Sequence, residues 1–141
     1  MTRVSPMSGF GTIPRVDDDL AVISGRTGRL CVVMSRDTIV ARYRSYLAAC
    51  NRRDWDSLVT HLSATVRVNS VVRTQREYVA DLGVLLSAFP DYHWELVRAV
   101  VDGEWLAVHL VDTGTRRGAF HGAPADGSSV VTDEFAMYRW V

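Results

Sequence analysis

Glu134 has the most chemistry to offer in this chain. Side chains alternate along an extended segment, so in the run from Ser129 onward Val130, Thr132, Glu134, Ala136, Tyr138 and Trp140 share one face. A lone carboxylate in such an apolar row loses hydration. Its pKa rises, and it can then act as a general acid or base near neutral pH. The structural alternative is an ion pair with an arginine on a neighbouring strand. Asp133 points to the opposite face, towards solvent. His109 shares a face with Trp105, Ala107, Val111 and Thr113, where it can line a pocket and relay a proton or sit as a core or interface histidine bonded to backbone. His121, in the loop Phe120-His121-Gly122, either contacts a ligand at a pocket mouth or faces water. His61 closes a helix, where a protonated ring suits the helix dipole, and His93 is expected to be exposed.

Other chemistries find little support. The 4 histidines show no HxH or HExxH spacing, so no metal is expected. The glycine-rich stretch Gly114 to Gly122 leads into a strand rather than a helix, unlike a phosphate-binding loop, and no serine sits in a G-x-S-x-G elbow. With 16 basic and 16 acidic side chains the formal net charge is zero, which argues against nucleic acid or an anionic membrane as partner. No apolar run approaches the ~20 residues needed to span a bilayer. Cys31 and Cys50 have no metal-ligand or redox spacing and read as free thiols of a cytoplasmic protein. Every basic residue is arginine, a bias of GC-rich, actinobacterial-type genomes.

These residues need a scaffold, and 141 residues suit one domain. Residues 1–33 read as a poorly ordered tail, either an extension or the product of an upstream start where Met34 is the true one. Leu30 to Val33 is a minor candidate for an extra strand. After Met34, Ser35 can cap a helix carrying Ile39, Val40, Tyr43, Tyr46, Leu47 and Cys50 at helical spacing. Asp54 can cap a short second helix with Trp55, Leu58, Val59 and Leu62. Val66, Val68 and Val71 suit one strand. Thr74 to Glu77 spells a capping box for a helix that buries Tyr78, Val79, Leu82, Leu85, Leu86 and Phe89, and Pro90 ends it. Strands then run from about Tyr92 to Val101, Trp105 to Thr113 and Ser129 onward, the first two joined at the hairpin signal Asp102-Gly103. Helices followed by an antiparallel meander make an α+β fold.

Three stretches carry a resemblance: EYVADLGVLLSAFPDYHWELV (77–97), GEWLAVHLVDTGTRRGAFHGAPADG (103–127) and EFAMYR (134–139). In this order they resemble the SnoaL-like (polyketide or ester cyclase-like) branch of the NTF2-like superfamily. The resemblance implies that residues 34–141 form an NTF2-like cone, with N-terminal helices packed on a curved antiparallel or mixed sheet around an apolar pocket. Three departures stand out. Arg116 replaces the histidine that often follows the G-T pair. Ala136 stands where the cyclases carry their acid/base aspartate, three residues before Arg139. The family's last strand is missing after Trp140-Val141, which would leave an edge unpaired.

What the resemblance implies for function is a pocket for a hydrophobic small molecule. Tyr43, Trp55, Trp94, Trp105, Phe120 and Tyr138 are its expected lining. Glu134, assisted by His109 or His121, would be the acid/base group of a cofactor-independent enzyme, cyclase-like or isomerase-like. The alternatives are a non-catalytic binding or accessory protein, or a C-terminally truncated inactive relative. A homodimer is implied through the sheet face that no helix covers, where Val131, Phe135 and Met137 would supply apolar contact.

Overall fold

The computed structural model describes residues 10–13 and 34–140. The first element is a short strand, β1 (Phe10–Ile13). Helix α1 (Arg36–Arg52) starts where the Ser35 side chain accepts the Thr38 N–H at 3.2 Å, which satisfies one of the donors a helix start leaves free. It stops at Arg53, whose left-handed backbone (φ 59°) turns the chain. Helix α2 (Trp55–Thr60) is capped by Asp54 through the Ser57 N–H. The strands β2 (Thr65–Val68) and β3 (Val71–Thr74) pair antiparallel. Helix α3 (Gln75–Ala88) opens with the reciprocal Thr74–Glu77 capping box. Strands β4 (His93–Asp102), β5 (Trp105–Thr115) and β6 (Ser129–Trp140) complete the chain.

The main sheet has the order β1-β6-β5-β4. β5 and β6 pair without interruption from Trp105↔Arg139 to Thr115↔Ser129. A bulge between Leu96 and Arg98 re-aims β4 against β5. One sheet face carries Leu106, Val108, Leu110, Ala136 and Tyr138 into the core, where Ile39, Tyr43, Leu47 and Leu58 of α1 and α2 meet them. Each fully buried apolar side chain of this kind contributes about 1.5–3 kcal/mol. The architecture is α+β, with helices α1 to α3 preceding the antiparallel strands β4 to β6.

The corner after α3 is where two of the resembling motifs touch. Asp91 of Phe89-Pro90-Asp91 accepts the Thr115 N–H and hydroxyl, each at 2.7 Å. Gly114 leaves room beside it, because a Cβ there would come within 3.1 Å of the Tyr92 ring and 3.4 Å of Phe89. From the other side Arg53 donates to the carbonyls of Pro90 and Tyr92, and Asn51 pairs with both backbone groups of Trp94. The end of α1, the corner and the end of β5 are thereby tied together, and Tyr92 is fixed in place.

Several expectations need correcting. The single strand expected around Val66 to Val71 is a hairpin: Asn69 and Ser70 both take positive φ (48° and 68°), the two-residue turn that matches strand twist. Within the first 33 residues, expected to be a tail, Phe10–Ile13 form a strand. It lies parallel to β6 along Met137–Trp140, so that one end of the edge expected to be bare has a partner. The candidate strand Leu30 to Val33 lies outside the described residues. Tyr78, Val79, Leu82, Leu85 and Leu86 are half-buried rather than buried, because α3 forms a cavity wall instead of packing flat. Burial and the nearby Arg42 push the His61 pKa down, which favours the neutral ring over the protonated one.

Candidate functional site

Between α1, α3 and the inner sheet face lies a cavity of about 730 Å³, a size that suits a small organic ligand. Its walls are mostly apolar, with Leu47, Leu62, Val66, Leu82, Leu85 and Leu110 among them. Two carboxyl groups of the sheet interrupt this lining. Glu134 of β6 faces the cavity, as the alternation along Val130, Thr132, Glu134 and Tyr138 requires. Asp112 of β5 is the second. It is only 1% exposed, the one charged residue in the buried core of the described residues. Leu110 sits opposite Glu134 and Asp112 opposite Thr132, so the two carboxyls are diagonal neighbours on one sheet face.

Tyr92, fixed by the corner, donates its hydroxyl to Asp112 Oδ2 at 3.2 Å. Asp112 Oδ1 is buried and finds no donor among the described side chains. Two carboxylates so close in an apolar setting cannot both be charged, and one proton must be shared. Burial first, then the hydrogen bond with Asp112 and the repulsion of its charge, push Glu134 up to about 8. Burial also raises Asp112, while hydrogen bonds from Glu134 and Tyr92 and the nearby His93 hold it back. A protonated Glu134 would supply the donor that Asp112 Oδ1 lacks.

Tyrosines line the inner end of the same cavity. Tyr43 donates to the Tyr138 hydroxyl at 3.3 Å, and the Tyr46 and Tyr78 hydroxyls bond each other. Burial is the largest cause that raises the pKa of all four, so they stay neutral donors. The mouth is built by the loop after β5. Arg117 and Gly118 donate to the Ala88 carbonyl at the end of α3, and a Cβ at Gly118 would meet the Ala88 Cα at 3.0 Å. Arg116 grips Asp126 and Ser128. Phe120 packs edge-on against Phe89, and His121 follows in a left-handed conformation (φ 46°). On the other rim Arg73 pairs with Asp81 at 2.9 Å.

The structure gathers Glu134, His121, Tyr43, Trp94, Phe120 and Tyr138 around this one cavity. Three expected site residues lie elsewhere. His109 projects from the outer sheet face, stacks on Phe135 with ring centroids 4.6 Å apart and bonds Asp133 at 2.8 Å. Trp105 is on that outer face too, 41% exposed under the Arg139 guanidinium. Trp55 packs against the core rather than the cavity. Residue reasoning missed Asp112 and Tyr92. The available signal was Asp112 two positions after Leu110, on the same parity as Leu106 and Val108. Among the described residues no three potential ligand side chains gather to hold a metal ion, and no helix is long and apolar enough to cross a membrane.

The family model for SnoaL-like polyketide cyclases matches residues 40–141. No curated protein sequence matches the chain. Among solved structures, TsrD from Streptomyces laurentii superposes with a TM-score of 0.63 at 19% identity, over 74% of this chain and 89% of its own. A SnoaL-like polyketide cyclase from Agrobacterium tumefaciens gives 0.62 at 20% identity, over 71% and 87%. AclR from Streptomyces galilaeus gives 0.60 at 22% identity, over 73% and 89%. At such identities these likenesses establish the NTF2-like fold.

Proposed function

The chain belongs to the SnoaL-like polyketide cyclase family, and on that footing we propose that it is a cofactor-independent acid/base enzyme, cyclase-like or isomerase-like, acting on a hydrophobic small molecule. The observation that carries this reading is the buried Asp112–Glu134 pair in the wall of an apolar cavity. Glu134 is the member open to a ligand, and Asp112 is a positioning residue behind it. With the shared proton on Asp112, the Glu134 carboxylate takes a proton from carbon, so that the pair holds two, and Glu134 then returns one to carbon. A single pair thus serves both half-steps near neutral pH. Ala136 occupies the position where the resemblance puts the cyclase aspartate. Glu134 is two residues earlier on the same face, about 6.6 Å along the strand at ~3.3 Å per residue. The carboxyl chemistry is displaced by one pleat rather than lost.

The test is exchange of α-deuterium from a flat aromatic ketone such as 2-tetralone, which reads proton transfer without requiring the natural reaction. Glu134→Gln should leave binding within a few-fold and slow exchange by ~10²–10⁴-fold. Binding with no Glu134-dependent exchange would favour the second reading, a non-catalytic binder. Its motivating observation is Ala136 itself.

The outer sheet face supports a homodimer. Val100, Trp105, Val131, Phe135 and Met137 are all exposed there, and exposed apolar side chains grouped on one face favour an interface.

A further inference from the structure

Five tyrosines line the cavity. Tyr92 gives its hydrogen to Asp112. Tyr46 and Tyr78 bond each other, and the Tyr46 hydroxyl also approaches the Cys50 thiol. Tyr43 gives its hydrogen to Tyr138. Tyr138 is left over: it accepts from Tyr43, and its own O–H has no acceptor among the described residues. Yet Tyr138 is only 8% exposed, and a buried donor without an acceptor is costly. It lines the cavity on the same face of β6 as Glu134. The Glu134 carboxyl is near enough that its charge acts on the phenols of Tyr43, Tyr78, Tyr92 and Tyr138, so acid/base group and free donor face one space.

We propose that the Tyr138 hydroxyl, oriented by Tyr43, is the subsite for a ligand carbonyl oxygen, with Glu134 placed to work on the adjacent carbon. The identity of the bound oxygen follows from the donor. A neutral phenol flanked by a carboxyl pair suits an acceptor, and it suits a carbonyl better than a carboxylate, which the charge on the pair would repel. Accepting the Tyr43 hydrogen bond polarises the Tyr138 O–H and makes it a stronger donor. For catalysis this subsite rests on the acid/base reading above; the hydrogen count stands without it. In the reaction the Glu134 carboxylate takes a proton from the carbon next to the carbonyl. The C–H electron pair becomes the C=C bond, and the carbonyl π pair moves onto the oxygen. Tyr138 holds that oxygen through a hydrogen bond that strengthens as charge develops. Protonation of carbon by Glu134 reverses the flow, at the same or a conjugated position.

The full chain with 2-tetralone labelled at its carbonyl carbon supplies the test. Bound to the wild type, the probe's carbonyl infrared band should move to lower frequency than in hydrocarbon solvent. Tyr138→Phe should abolish that shift and slow α-deuterium exchange by ~10²-fold or more. Glu134→Gln should keep the shift and lose exchange. Tyr43→Phe, which leaves Tyr138 in place, should give a smaller shift than wild type, and it keeps the idea exposed if Tyr138→Phe does not fold. An unaltered band in both tyrosine variants would overturn the subsite while leaving the Glu134 reading intact. A shift that depends on Tyr138 with no exchange in any variant would uphold the subsite and sink the acid/base reading. Failure of millimolar 2-tetralone to bind would overturn the subsite.

Discussion

At Glu134 the decisive quantity is where one proton sits. An isolated glutamate in water would be charged throughout the neutral range; here burial and Asp112 hold its proton to about 8. The consequence for stability has a definite sign. The folded state binds this proton more tightly than the unfolded chain. The favourable contribution is therefore complete below the ordinary glutamate value of 4.5, and it is lost as pH rises towards 8. The slope in that window approaches about 1.4 kcal/mol per pH unit for one such group. Glu134→Gln should therefore flatten the fall of unfolding free energy between pH 5 and 8, as read by urea denaturation at several pH values. Parallel slopes for the two proteins would mean that Glu134 titrates as it does in water. The importance of Glu134 was legible in the sequence from its apolar neighbours. Asp112 was not, because both faces of β5 read as apolar: Leu106, Val108 and Leu110 on one, Trp105, Ala107 and Val111 on the other. Without register the parity is undetermined. The same ambiguity left His109 open to a pocket role, whereas its face is the outer one.

Among the elements, the corner Phe89 to Tyr92 and the end of β5 act as one unit. Asp91 anchors Thr115, Gly114 makes room for the Tyr92 ring, and Tyr92 holds Asp112. A methyl group added by Gly114→Ala would press on Tyr92 and Phe89. Overpacking of this kind costs ~1–3 kcal/mol, and here it should also disturb the hydrogen bond to Asp112. Chemical denaturation should show the loss, and wild-type stability in the variant would contradict this account of the corner. Helix starts were the most legible elements, since Ser35, Asp54 and Thr74 each cap as their side chains dictate. The β2–β3 hairpin was less so. Asn69-Ser70 places two non-glycine residues at positive φ, a weaker signal than the Asp102-Gly103 turn, where Gly103 takes φ 57°.

For the molecule as a whole, the two sheet faces carry different tasks. The inner face builds the cavity; the outer one exposes Phe135 at 63% and Val131 at 65%. His109 is part of that outer face through its stack on Phe135. In the homodimer reading, Phe135→Glu puts a charge at the centre of the patch and should convert a dimer to a monomer in sedimentation velocity. A wild type that already sediments as a monomer at micromolar concentration would remove the dimer from the account. The parallel pairing of β1 with β6 could not be read from the sequence. Residues Phe10 to Ile13 form too short a run for a period to emerge, and a parallel partner far away in the chain leaves no local trace. Pairing Met137–Trp140 on that edge shortens a template for unwanted strand pairing.

Whether Asp112 and Glu134 share one proton in the cavity wall is read directly by a carboxyl-carbon NMR titration of the selectively labelled chain. The prediction is one carboxyl titrating several units above the ordinary glutamate value of 4.5, near 8, with its resonance absent in Glu134→Gln and its titration shifted back down in Asp112→Asn. Two carboxyls titrating independently at ordinary acidic values would contradict the shared proton and, with it, the acid/base function proposed for this site.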